Sequence, residues 1–92
     1  MKTFKDLKFE KHSIASVERY QNAKQAKETF KNNYGVSVII GECFYSNGKD
    51  TYELAILYND GITYGTGITD DVLGHLTKDE VSEIMIKVQK LN

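Results

Sequence analysis

Cysteine and histidine are the side chains of this sequence best suited to catalysis, and the chain contains only Cys43, His12 and His75 of these types. A cysteine nucleophile needs a base within hydrogen-bond reach and a third group that orients the base. The spacing of these three residues indicates no such set, and a lone cysteine in a strand usually packs as a small hydrophobe. Three ligands far apart in sequence are also a poor basis for a zinc site. We therefore expect no enzyme activity, no catalytic residue, no cofactor and no metal.

Two further motifs have the residue types of a functional site. Asp70 and Asp71 could form a carboxylate pair, but adjacent residues of a helix do not face each other, and acids are favoured in a first helical turn. The stretch Gly65-Thr66-Gly67 lacks the third glycine of a dinucleotide fingerprint and the lysine of a P-loop. An acidic helix start behind it would repel a phosphate. These motifs predict a capped helix and a close backbone approach instead of a nucleotide site.

The length and composition indicate one small domain, residues 1–92, with 40% hydrophobic and 27% charged residues. A single cysteine excludes an internal disulfide and is typical of a reducing compartment. No apolar run approaches the length of about 18 residues that spans a membrane. The first twelve residues, MKTFKDLKFEKH, lack the apolar core of a signal peptide. The sequence therefore predicts a cytoplasmic protein with no membrane partner.

Charge is unevenly distributed along the chain, although the net charge is only −1. Residues 1–31 contain eight Lys or Arg against four acids, and residues 32–92 contain four Lys against nine acids. A basic edge and an acidic end that are simply solvated explain this pattern. The alternative is a weak nucleic-acid-binding module that uses the basic N-terminal third, with Lys24, Lys27 and Lys31 as its test residues.

A hairpin is predicted from Tyr52 to Ile68, where large apolar residues alternate with smaller ones on either side of Asn59-Asp60-Gly61. A two-residue loop of Asp60-Gly61 would pair Asn59 with Ile62, and so even with odd residues, and would put the large side chains on opposite faces. A three-residue loop with Gly61 in the left-handed conformation pairs Tyr58 with Ile62 and keeps them on one face. The second register is the one we predict.

A similar hairpin is predicted earlier in the chain. Val36–Phe44 is β-branched and bounded by glycine, which is typical of a strand. Gln25–Asn32 is either a strand or a helix, and the following Asn33-Tyr34-Gly35 favours a strand. A three-residue loop there, with Gly35 in the left-handed conformation, pairs Phe30 with Val38. Lys8–His12 is a candidate edge strand.

The pattern changes to a helical period after Ile68. Thr69 is predicted to cap a short helix that ends near Gly74-His75, with His75 at its C-terminus. Thr77-Lys78-Asp79-Glu80 has the spelling of a capping box and opens a second helix. That helix carries one apolar stripe, formed by Val81, Ile84, Met85, Val88 and Leu91. The fold class predicted is α+β, an antiparallel β-meander of about four strands with the C-terminal helix packed on its even-numbered face.

The odd-numbered face of this sheet is the main candidate for a binding surface, because it presents small residues around Ile39 and Leu57. Either the N-terminal segment covers it with Phe4, Leu7 or Phe9, or a partner does. Two exposed stretches complete the candidate surface, the turn-rich loop Tyr45–Asp50 and the acidic start at Asp70. The partner-binding residues predicted are Ile39, Leu57, Tyr45, Asn47, Lys49, Asp70 and Asp71.

Three runs of the sequence resemble short uncharacterised proteins carried by bacteriophages and prophages: YGVSVI (Tyr34–Ile39), TYELAIL (Thr51–Leu57) and ITYGTGITDDVLGHLT (Ile62–Thr77). Small phage proteins often inhibit host defence, and anti-CRISPR proteins are among them. The resemblance implies a non-enzymatic inhibitor that binds and blocks a protein partner, such as a CRISPR component. It leaves the oligomeric state open and allows a dimer.

Overall fold

The computed structural model describes residues 1–11, 23–41, 46, 50–59, 61–63, 66–68 and 72–91. Its elements are a 3-10 turn (Phe4–Asp6), β1 (Glu10–Lys11), β2 (Lys24–Thr29), β3 (Tyr34–Ile40), β4 (Tyr52–Tyr58), β5 (Gly61–Ile62), β6 (Leu73–Leu76) and α1 (Lys78–Gln89). All the strands belong to one antiparallel sheet in the order β1-β2-β3-β4-β5, and β6 also pairs with β4. The predicted α+β class is confirmed, and Lys24–Thr29 is a strand instead of a helix.

The β2–β3 hairpin has a three-residue loop, but the loop lies two residues earlier than predicted. The Phe30 amide donates to the Tyr34 carbonyl at 2.7 Å, so residues 31–33 form the loop, and Ala26, not Phe30, pairs with Val38. Asn33 is left-handed at φ 70°, the conformation that the last residue of such a loop requires. The register differs from the predicted one by an even number of residues, so the side chains keep their predicted faces.

The β4–β5 hairpin has a two-residue loop, residues 59–60, one residue earlier than the Asp60-Gly61 loop that the sequence analysis rejected. Tyr58 pairs with Gly61 and Leu57 pairs with Ile62, so the predicted pairing of Tyr58 with Ile62 is wrong. Asn59 is left-handed at φ 49°, as the first residue of such a loop requires. The parity argument fails because β5 contains only two residues. Only Tyr58 and Ile62 are therefore placed on opposite faces of the sheet, and not the large side chains of a whole strand.

β6 replaces the helix predicted to end near Gly74-His75. Leu73 pairs with Leu54, and Leu76 pairs with Tyr52, with a register shift between the two pairs. His75 lies inside this strand with φ 54°, so its predicted position at a helix C-terminus is wrong. β5 covers only the end of β4, and β6 pairs with the part of that edge that β5 leaves open.

Helix α1 begins as predicted. The Thr77 hydroxyl accepts from the Glu80 amide at 3.2 Å, and the Glu80 carboxylate accepts from the Thr77 amide at 3.0 Å, which confirms the capping box. The C-terminal end is held by Asn32, whose side-chain amide donates to the Val88 and Leu91 carbonyls, both at 2.9 Å. The loop between β2 and β3 therefore satisfies carbonyls that the end of a helix leaves unpaired.

The hydrophobic core lies between α1 and the even-numbered face of the sheet. Its most buried side chains are Val36, Val38, Leu54, Ile56, Val81, Met85 and Val88. Leu7, Phe4 and Phe9 pack against this same cluster, and the Phe4 and Phe9 rings lie 4.9 and 5.7 Å from the Tyr52 ring. The alternative in which the N-terminal segment covers the odd-numbered face is therefore wrong for these three side chains.

Gly35 and Gly61 were expected to share a left-handed conformation, but neither has a positive φ. A Cβ at Gly35 would lie 2.3 Å from the Glu28 carbonyl oxygen, whereas at Gly61 the nearest such atom is the Tyr58 oxygen at 3.7 Å. Gly35 is therefore required by close packing of β2 against β3.

We expect Gly35→Ala to lower the free energy of unfolding by about 1–3 kcal/mol, because the added methyl group overlaps backbone that cannot move away cheaply. Gly61→Ala is the matched control and should stay within about 0.5 kcal/mol of the parent. Urea unfolding of the two variants measures the difference. Equal losses would contradict the close-packing explanation.

Tyr52 gives the core a dependence on alkaline pH. Burial raises the pKa of the Tyr52 phenol, and the negative charge of Asp50 raises the pKa further. The unfolded chain then loses this proton near pH 10, before the folded chain does. The free energy of unfolding should be unaffected by Tyr52 below that pH and should fall as pH rises through the folded-state pKa. Urea unfolding from pH 8 to 11 should show a shallower fall for Tyr52→Phe than for the parent.

Candidate functional site

The predicted partner-binding residues fall into two groups. Ile39 and Leu57 lie on the odd-numbered face, where Ile39 is half-buried and Leu57 is only 4% exposed. Leu57 therefore offers a partner almost no surface. Outside the described residues lie Tyr45, Asn47, Lys49, Asp70 and Asp71, and contact of all seven with a partner stays a prediction.

The candidate catalytic residues are also placed only in part. Cys43 and His12 lie outside the described residues, and His75 is exposed on β6. Within the described part of the chain, no three His, Cys, Asp or Glu side chains come close enough to hold a metal ion. No described helix is long and apolar enough to cross a membrane.

The N-terminal residues are held against α1 by three hydrogen bonds, two between Lys2 and Gln89 and one between Phe4 and Ser82. The Lys2 amide donates to Gln89 Oε1 at 2.9 Å, and Gln89 Nε2 donates to the Lys2 carbonyl at 2.7 Å. The Phe4 amide donates to the Ser82 hydroxyl at 3.0 Å. Lys2 Nζ also forms an ion pair with Glu28 of β2. The segment from Met1 to Phe9, here called the N-terminal strap, thus joins the helix to the first long strand.

Within the described part of the chain, β1 pairs with Lys24 and Gln25 of β2, and no described residue pairs with the outer edge of β2 beyond them. In an antiparallel pair of strands, the backbone groups of every second residue point toward the partner strand. The Phe30 amide bonds to Tyr34, so the amides and carbonyls of the even-numbered β2 residues point toward β3. Those of Lys27 and Thr29 consequently point away from β3. Among the described residues, none bonds to these four backbone groups.

Two grooves lie along this open edge. The first is about 480 Å³ and is lined by Lys2, Asp6, Lys8, Glu10, Lys11, Gln25, Lys27 and Glu28. The second is about 530 Å³ and is lined by Met1, Lys2, Thr29, Phe30, Lys31, Asn32 and Gln89. They share Lys2, and together they follow β2 from Gln25 to Thr29 and continue along the loop to Asn32. The strap is one wall of each groove.

The first groove carries more unpaired positive than negative charge. Asp6 accepts the Thr3 amide at 2.9 Å, and Glu28 is paired with Lys2. The remaining lysines, Lys8, Lys11 and Lys27, form no ion pair with a described residue, and neither do the acids Asp6 and Glu10. Four lysines and three acids among the described lining residues give this groove a net charge of +1 beside the outward backbone groups of Lys27 and Thr29.

An exposed aromatic site lies at the end of the sheet where the two loops meet. The Asn59 amide donates to the Asn33 carbonyl at 2.9 Å, and the Tyr34 and Tyr58 rings lie 4.7 Å apart. Tyr58 is 43% exposed, and Ile62 is 56% exposed. The pairing of Ile62 with Leu57 puts Ile62 on the face opposite to Tyr58, so these two side chains do not form one apolar patch.

Comparisons of the chain with protein-family models, curated proteins and solved structures find no significant match. The contacts of the described residues are therefore the basis of the functional proposal below.

Sequence reasoning did not identify the open edge, although the signals for it are present. Lys24, Lys27 and Lys31 recur along a segment interpreted as a strand, and lysine is typical of unpaired strand edges. The strap could not be placed on this edge from the sequence, because its contacts with Gln89 and Glu28 join residues far apart in the chain.

Replacement of Gln89 tests how the strap is held. We expect Gln89→Ala to lower the free energy of unfolding by about 1–2 kcal/mol, because both hydrogen bonds to Lys2 are lost. Gln89→Glu keeps the acceptor and loses the donor, so its loss should be smaller. Urea unfolding gives the energies, and hydrogen exchange of the Lys2 amide reports release of the strap. An unchanged exchange rate in Gln89→Ala would contradict this role.

Proposed function

We propose that this chain is a small non-enzymatic protein of the phage type that binds a protein partner through the outer edge of β2 and blocks that partner. The observation that carries the proposal is the β2 edge at Lys27 and Thr29, whose outward backbone groups bond to no described residue. An unpaired strand edge offers a row of donors and acceptors to a strand from another chain, and strand addition is a recurrent mode of protein recognition.

The contacts around the edge support the proposal that it is a binding surface. The strap forms a wall that is held by Gln89, Ser82 and Glu28, so a docking segment would meet a largely preformed groove. The part of β2 from Gln25 to Thr29 corresponds to about 17 Å of extended chain. A segment of that length can bury side chains in both grooves while it bonds to the edge.

The identity of the partner is proposed from the resemblance to phage proteins. Such proteins act by occupying a surface of a larger host protein, and the proposed target is a component of a CRISPR or other defence system. A chain that works in this way needs only a stable surface, which the capped helix and the packed sheet supply.

Proline at position 29 tests the edge without removing a β2–β3 hydrogen bond. The Thr29 amide points outward, so Thr29→Pro deletes one edge donor and obstructs an added strand, while Thr29→Val keeps the donor and the β-branched shape. A partner that the parent and Thr29→Val retain from a bacterial lysate should bind Thr29→Pro at least about tenfold more weakly. Melting curves of both variants establish that they are folded.

The same pair of variants can be tested in cells. In hosts that each carry one defined CRISPR system, the parent and Thr29→Val should raise the plating efficiency of a targeted phage, and Thr29→Pro should not. A folded Thr29→Pro protein that still retains the partner and protects the phage would exclude the edge as the binding surface. Absence of both a partner and protection for the parent would overturn the proposed function.

A further inference from the structure

We infer that the segment docked on this edge is an extended, acidic stretch of the partner, added to the sheet as a strand beside β2. This inference rests on the proposed function and specifies the chemistry of the partner. It follows from the charges of the first groove together with the direction of the Lys27 and Thr29 backbone groups.

The charges select an acidic segment. A strand beside β2 would place alternate side chains on its two faces. On the odd-numbered face they would lie next to Lys27, and around the groove they would meet Lys8 and Lys11, none of which is paired with a described acid. Carboxylates at these positions would gain charge-assisted hydrogen bonds, whereas lysines would be repelled.

The same lysines disfavour pairing of this edge with strands that are not acidic. Edge lysines prevent pairing with neutral or basic strands, because a second chain would have to bury or crowd the ammonium groups. Two copies of this chain joined edge to edge would bring Lys24, Lys27 and Lys31 of each copy close to those of the other. A partner of opposite charge is therefore favoured over a second copy.

The chemistry of the grooves also favours a peptide over a single-stranded nucleic acid. Nucleic-acid grooves of this kind combine lysines with aromatic rings on which bases stack. Among the described lining residues, Phe30 is the one aromatic side chain, and it is 8% exposed and packs in the core. The outward amides and carbonyls of Lys27 and Thr29 instead match the repeating donors and acceptors of an extended peptide.

The binding test uses two synthetic peptides of about eight residues, one alternating glutamate with threonine and the other alternating lysine with threonine, each blocked at both ends. The parent should bind the glutamate peptide at least about tenfold more tightly than the lysine peptide, and added salt should weaken the complex. Lys27→Glu should weaken it about tenfold. Lys87→Glu makes the same charge change on an exposed residue that lines neither groove, and it should have little effect.

Hydrogen exchange separates strand addition from loose charge attraction. The Lys27 and Thr29 amides should exchange rapidly in the free chain and at least about tenfold more slowly with the glutamate peptide bound. Thr29→Pro should abolish binding of the peptide, and Thr29→Val should preserve it.

Several results would overturn the inference. These are protection of both amides in the free dilute chain, a dimer that protects them, equal affinity for the two peptides, or equal losses in Lys27→Glu and Lys87→Glu. Binding of oligo-dT that Lys27→Glu weakens and Thr29→Pro leaves intact would assign the groove to nucleic acid. If the glutamate peptide fails while the cellular partner still depends on position 29, the acidic class is wrong and the proposed function stands.

Discussion

The hydrogen bond from the Phe30 amide to the Tyr34 carbonyl determines much of what this molecule presents to its surroundings. It closes the first loop and thereby sets which β2 backbone groups are used within the sheet. The same register places Ala26 opposite Val38 under the helix and Lys27 opposite Ser37 on the other face. A register displaced by one residue would bury lysine and expose alanine, so the core and the charged edge have one common origin.

The sequence was sufficient for the features that depend on periodicity. Strands β2, β3 and β4, the capped helix and the even-numbered core face all follow from alternation or from the Thr77–Glu80 spacing. The first loop was displaced, but by an even number of residues, so every side chain kept its face. The alternation of the sequence determines which face of the sheet each side chain lies on, but it hardly constrains where the turn is.

Features that depend on competition for the β4 edge were predicted wrongly. Local pattern favoured a long partner strand up to Ile68 and a helix ending near His75. The tertiary structure divides that edge between β5 and β6. The sequence around Leu73 does not show that β5 leaves the edge of β4 at Leu54 uncovered. That edge is available to β6 only because β5 ends at Ile62. The strap was hidden for the same reason, since its contacts join opposite ends of the described chain.

The contact between Lys2 and Gln89 joins residues 87 positions apart, whereas the β2–β3 and β3–β4 pairs are formed by neighbours along the chain. A contact that closes a long loop requires a large loss of chain entropy before it contributes any favourable energy. In folding, the strap should therefore dock after the central hairpins have formed. Weak, exposed contacts of this kind also open first in local unfolding. Leu7, Phe4 and Phe9 hold most of the strap against the core, so this late docking concerns its outer end at Met1 and Lys2. That end of the groove wall can open while the helix and the three long strands stay intact.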